Sequence, residues 1–212
     1  MKKLLFVVAI LSVGLSTVSA TIINDTAPSW RGDAGTTYQA WGFDNDNNPA
    51  DLEPGWYNPY GTPQLTVGGG FPYPNWQSNK YGHSGVWLTD GWVAIEIDNN
   101  PVPNDYKEIL IQITHYNNET GPSEIPLVIV TSEPSYSYET ETIKHEMVDT
   151  YFYHTIIRIV IDTNPESEII YFKQPTHCGQ AIDEVIVDTI CIPEPATMVL
   201  LGLGGLLLRR KR

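Results

Sequence analysis

Trp92-Val93-Ala94-Ile95-Glu96-Ile97-Asp98 carries apolar side chains at 93, 95 and 97, with Glu96 and Asp98 alternating against them. A spacing of two puts the three aliphatic residues on one face of an extended chain and the acids on the other, the pattern of a strand buried on one side. Residues 108–116 repeat it with Ile109, Ile111 and Ile113. Residues 151–162 place Tyr153, Ile157, Ile159 and Ile161 on one face and His154, Arg158 and Asp162 on the other. Further out, 86–89, 126–131, 169–173 and 181–192 are short runs rich in apolar and β-branched residues. Residues 137–147 alternate with many polar side chains, as an edge or solvent-facing strand does. Upstream, 36–43 has strand composition, and Asp44-Asn45-Asp46-Asn47-Asn48-Pro49 is a turn cluster. The Gly-, Pro- and aromatic-rich stretch 53–85 holds one strand within 60–67. No amphipathic helix interrupts the series. About nine or ten strands without a repeat period predict an all-β fold, a two-sheet antiparallel sandwich of jelly-roll type. A propeller would need repeating blades, and none is present.

Both ends of the chain read as processing segments. Lys2-Lys3 precede an apolar stretch over 4–15, and Val18-Ser19-Ala20 offers the small residues that a signal peptidase reads. Residues 1–20 are therefore expected to form a signal helix, cut between Ala20 and Thr21. At the other end, Pro193-Glu194-Pro195 is followed by 196–208, which carry no charge, and then by Arg209-Arg210-Lys211-Arg212. As a helix the uncharged run would reach about 20 Å, short of the roughly 20 residues a bilayer core asks for. Snorkelling basic stems extend that reach, and the terminal cations hold their end on the cytoplasmic side. A transmembrane-like helix is expected there.

Those three parts, in that order, resemble the PEP-CTERM protein-sorting signal across 193–212. The resemblance implies that an exosortase, a membrane transpeptidase-like enzyme, processes the tail near Pro193-Glu194-Pro195. It implies an exopolysaccharide-producing bacterium of Gram-negative type, and export to the outer surface with transient anchoring in the inner membrane. The tail is then the substrate of another enzyme, and the expected partners are signal peptidase, exosortase and exopolysaccharide.

Between the ends, 21–192 is one ectodomain's length of chain. Without the six basic residues of the two ends and without Glu194, it keeps six basic and 24 acidic residues, a net charge of −18. Such a surface repels nucleic acid and anionic lipid. Cys178 and Cys191 are the only cysteines. An exported chain permits their pairing, and closing that loop would contribute on the order of 3 kcal/mol; two buried thiols are the other reading.

The sequence contains no metalloprotease, nucleophile-elbow, phosphate-loop or dinucleotide motif. No enzyme activity is expected; the alternative is a secreted carbohydrate-active hydrolase with an unrecognised carboxylate pair. His115 continues the apolar face of its strand and is expected to be a satisfied buried histidine. Asp44, Asp46 and Asn48, with Asp51 nearby and Asp183 on the last strand, could supply oxygen ligands to calcium. Pro49 and Gly55 break the EF-hand spacing, and an ordinary Asx-rich turn is the competing reading. All six tryptophans fall between Trp30 and Trp92. Trp56, Tyr57 and Trp76, beside Asn58, Asn75 and Gln77, have the flat rings and amides that bind sugars, or else they cover a sandwich end.

Overall fold

A computed structural model describes residues 25–70, 72–101, 106–116, 124–173 and 180–192. The expected signal helix, the Ala20/Thr21 junction, Cys178 and the tail 193–212 lie outside the described residues. Among the described residues there are eleven strands and no helix. They are β1 (Thr36–Trp41), β2 (Gln64–Val67), β3 (Asn75–Lys80), β4 (His83–Thr89), β5 (Val93–Asp98) and β6 (Tyr106–Tyr116). β7 (Leu127–Glu133), β8 (Tyr138–Met147), β9 (Phe152–Ile161), β10 (Ser167–Lys173) and β11 (Gln180–Ile192) follow.

The strands form two antiparallel sheets. One has seven strands in the order β3-β4-β11-β6-β9-β8, with β1 also paired to β11; the other runs β2-β5-β10-β7. Their inner faces share one core. Ile109, Ile111, Ile113, Ile157, Ile159, Ile161, Val185 and Val187 from the large sheet pack in the same cluster as Leu65, Val93, Ile95, Ile97, Ile170 and Phe172 from the small one. Each such aliphatic side chain, taken fully out of water, contributes roughly 1.5–3 kcal/mol. The alternation read at 93–98 is therefore the inner face of β5.

β11 is the axis of the larger sheet. One edge pairs with β6 from Ile182 to Ile192. The other is shared: β4 takes residues 180–182 and β1 takes 185–190. A register shift between Ile182 and Glu184 marks the changeover. β11 is buried over 181–189: the chain entering β1 covers its outer face at Asp188, and a second small cluster with Val86 and Phe152 covers it at Ala181. There, the backbone of Thr26 exchanges hydrogen bonds with the Gln112 side chain at 2.9 and 3.1 Å.

The structure adds one strand that the periodicity does not predict. β3, Asn-Trp-Gln-Ser-Asn-Lys, is a polar edge strand that makes a hairpin with β4. Tyr81 and Gly82, both at positive φ (55° and 91°), supply the two-residue turn whose twist suits such a hairpin. The residues of β3 are mostly polar and none is fully buried, so hydrophobic periodicity cannot register the strand. β8 lies at the opposite edge, as its polar alternation predicts.

Candidate functional site

A concavity of about 500 Å³ opens where the lead-in meets β1, lined by Arg31, Asp33, Thr36, Tyr38, Gly55 and Tyr57 among others. Tyr57 is held there by an antiparallel bridge, its N–H donating to Tyr38 O at 2.6 Å and its carbonyl accepting from Tyr38 N at 2.8 Å. Its side chain is 57% exposed, and the neighbouring Trp56 is 37% exposed. Arg31 lies 4.2 Å over the Tyr38 ring. Its guanidinium donates to both oxygens of Asp188 at 2.5 and 2.7 Å and to Asp25. The wall is thus cross-linked by a backbone bridge and an ion pair, and it bears an accessible ring. Trp76 is elsewhere. It sits half-buried on β3, packed against the core, with Nε1 donating to Phe43 O at 2.9 Å. Trp56 and Tyr57 are adjacent and exposed, and of the two Tyr57 lines the concavity; Trp76 does not join them.

The acidic loop 44–51 is knitted internally. Asp51 accepts from the side-chain amides of Asn45 and Asn47, both at 2.8 Å, and these bonds hold its carboxyl below the usual range. Asn48 spends its amide on the backbone of Val67, donating at 2.8 Å and accepting at 2.9 Å. Asp44 and Asn45 border a smaller concavity of about 240 Å³, while Asp183 faces His83. Among the described residues, no group of three or more His, Cys, Asp or Glu side chains is placed to hold a metal ion. Asp44, Asp46 and Asp183 are accordingly not gathered into one site.

Asp183 occupies the β11 irregularity and binds His83 Nδ1 at 2.7 Å; Asp149, from the β8–β9 turn, binds Nε2 at 2.5 Å. The ring is clamped between two carboxylates on opposite sides. The Asp183 hydrogen bond, opposed by burial and aided by Asp149, raises the His83 pKa to about 9. His115 behaves as its strand position predicts: it is buried, within 2.8 Å of Thr155 Oγ1, and burial holds it neutral.

At one rim of the core, three polar side chains occupy inward positions: Lys107 on β6, Glu168 on β10 and Asn99 just past β5, all buried. Lys107 Nζ contacts Glu168 Oε1 and Asn99 Oδ1, and Asn99 Nδ2 donates to Glu168 Oε2 and to Pro165 O, the last at 3.0 Å. Sequence reasoning missed this group. The signal was present, because each member continues its strand's apolar phase. Close by in the fold, Cys191, which pairs with Lys107 across β11 and β6, is a free buried thiol donating to Asn164 Oδ1 at 3.1 Å. Burial pushes that thiol's pKa up.

Among the described residues no helix is long and apolar enough to cross a membrane. No curated protein and no solved structure matches the chain. The family model described as the PEP-CTERM protein-sorting motif matches residues 192–212. The chain therefore carries, immediately after the central strand of its larger sheet, the signal that addresses an exported protein to an exosortase.

Proposed function

We propose that this is a non-catalytic surface or extracellular-matrix protein, a sandwich of jelly-roll type that binds exopolysaccharide at the Trp56–Tyr57 rim. The observation that carries the reading is the sorting motif that follows directly on a domain whose described residues form strands and no helix. The orders β4-β11-β6-β9 and β5-β10-β7 support the jelly-roll reading, in which β8 is an outer strand that pairs with the other sheet. Several buried carboxylates are already engaged: Asp188 with Arg31, Glu168 with Lys107, Asp183 with His83, and Glu53 with the amide of Gly42. Such commitments favour binding over hydrolysis. The net charge of −18 on 21–192 favours a neutral glycan over an anionic one.

In this reading signal peptidase cuts after Ala20, residues 196–208 hold the chain briefly in the inner membrane, and exosortase acts near Pro193-Glu194-Pro195. The test is expression of the full chain with and without an exosortase. Processing that depends on the enzyme and fails in Glu194→Ala, with the wild type reaching the surface, supports it. A tail left intact in the presence of exosortase overturns the sorting assignment. Reducing sugars released from purified exopolysaccharide by the processed protein would overturn the non-catalytic assignment.

A further inference from the structure

The inner faces of three strands change character at the same level of the sandwich. β5 presents Val93, Ile95 and Ile97, and the next inward position is Asn99. β6 presents Ile113, Ile111 and Ile109, and then Lys107. β10 presents Phe172 and Ile170, and then Glu168. Lys107 and Glu168 have no side-chain exposure at all. A buried lysine–glutamate pair is costly to desolvate, and its mutual attraction seldom exceeds that cost. Charge pairing also leaves the third member unexplained. The Asn99 carboxamide touches the lysine through Oδ1 and the carboxylate through Nδ2, while the two oxygens of Glu168 reach Lys107 and Asn99 separately. The carboxylate therefore spans an amine and the nitrogen of the amide beside it.

We propose that Lys107 and Asn99 are joined by an intramolecular isopeptide bond, with Glu168 as the catalytic proton carrier. Glu168 takes a proton from the Lys107 ammonium, leaving a neutral amine and a neutral acid. Nζ attacks Cγ of Asn99, and the carbonyl electron pair moves to Oδ1. Glu168 then delivers its proton to Nδ2 and accepts one from Nζ. As the carbonyl reforms, the Cγ–Nδ2 bond breaks and ammonia leaves. The products are the Lys107–Asn99 amide, one ammonia and the Glu168 acid; protons and charge balance, and no oxidant, metal or cofactor enters.

Three physical features favour the step. Folding turns the encounter into an intramolecular one, which for well-oriented groups is worth effective concentrations on the order of 10⁵–10⁸ M. The dry surroundings, with both side chains fully buried, keep water from competing for the Asn99 carbonyl carbon. The product removes the lysine charge from the core. Asn99 is further fixed by its N–H donating to Glu166 O at 3.2 Å and its amide to Pro165 O. Because Lys107 belongs to the seven-stranded sheet and Asn99 extends the four-stranded one, the bond ties the two sheets covalently.

The test is the intact mass of the full chain, purified folded and measured denatured. The expected mass is about 17 Da below that of the sequence, the loss of one ammonia. Trypsin is expected to leave Lys107 uncut and to release residues 81–144 as one peptide carrying that loss, with fragmentation placing the link between Asn99 and Lys107. Lys107→Met and Glu168→Gln are expected to keep their full sequence masses, and the wild-type measurement decides the matter even if either fails to fold. A wild-type chain of full mass that trypsin cuts at Lys107 overturns the bond. A mass loss located elsewhere overturns it equally. Persistence of the link in Glu168→Gln overturns the role given to Glu168.

Discussion

Arg31 and Asp188 are 157 residues apart in the chain, yet they meet as a two-pronged ion pair on the outer face of the larger sheet, at 2.5 and 2.7 Å. The contact seals the lead-in over β11, and it builds one wall of the Tyr57 concavity. Asp188 is fully buried, while Arg31 is partly exposed. Removing one partner leaves a buried charge without its counter-ion, whereas replacing both with apolar residues avoids that cost. Arg31→Ala is expected to lower unfolding stability by about 3 kcal/mol. Arg31→Met with Asp188→Leu is expected to recover most of the loss. Urea denaturation of the three chains checks the pair; equal stability of the wild type and Arg31→Ala would show that the contact does not hold the lead-in.

The clamp on His83 makes stability depend on pH. Its folded pKa, about 9, lies above its unfolded value of about 6.5. The contribution is therefore complete below about pH 6.5 and is lost as pH rises through about 9. Asp149 moves the other way: burial alone would raise its pKa, but the His83 bond and the amides of Tyr151 and Phe152 lower it overall. Its contribution disappears only as pH falls below the ordinary carboxylate range. Thermal melts across pH should show Tm falling between pH 6.5 and 9, and His83→Gln should flatten that limb. An unchanged limb in the variant would assign the dependence to another group.

Gly85 is at φ +74°, and a Cβ there would lie 2.2 Å from the backbone carbonyl of Phe43. The obstacle is main chain, so it cannot rotate away. Phe43 is itself at positive φ, and its carbonyl also accepts the Trp76 indole. Gly85→Ala is expected to cost more than about 1 kcal/mol and to loosen the β3–β4 hairpin. Hydrogen exchange at Trp76 and Gln77 reads that loosening directly; wild-type protection would argue against the contact.

Tyr57→Ala is expected to weaken binding to neutral exopolysaccharide several-fold without changing Tm, since its ring is solvent-exposed. Trp76→Ala should do the reverse, lowering Tm by removing packing and the bond to Phe43 O while leaving affinity nearly intact. Calorimetric titration paired with melting separates the two. Loss of affinity in Trp76→Ala alone would move the binding site to β3.

Sequence periodicity revealed β5, β6 and β9 because a period of two is a local property: each residue's face follows from its neighbours two positions away. The same rule foretold β8 as an edge and His115 as a satisfied interior side chain. It was silent on β3, whose polar residues are held by a turn and a partner strand rather than by burial. Trp56, Tyr57 and Trp76 look alike in composition; only folding packs Trp76 half-buried against the core and leaves the other two at the surface.

The sequence by itself determined the strands' inward faces, the acidic surface and the sorting signal, since each is written in residues adjacent along the chain. The tertiary structure alone decided that Asp149 and Asp183 grip His83, that Arg31 reaches Asp188, and that Lys107, Asn99 and Glu168 converge. Those contacts depend on which strand lies beside or across from which, a choice made by closing the two sheets over one core and invisible to any local pattern.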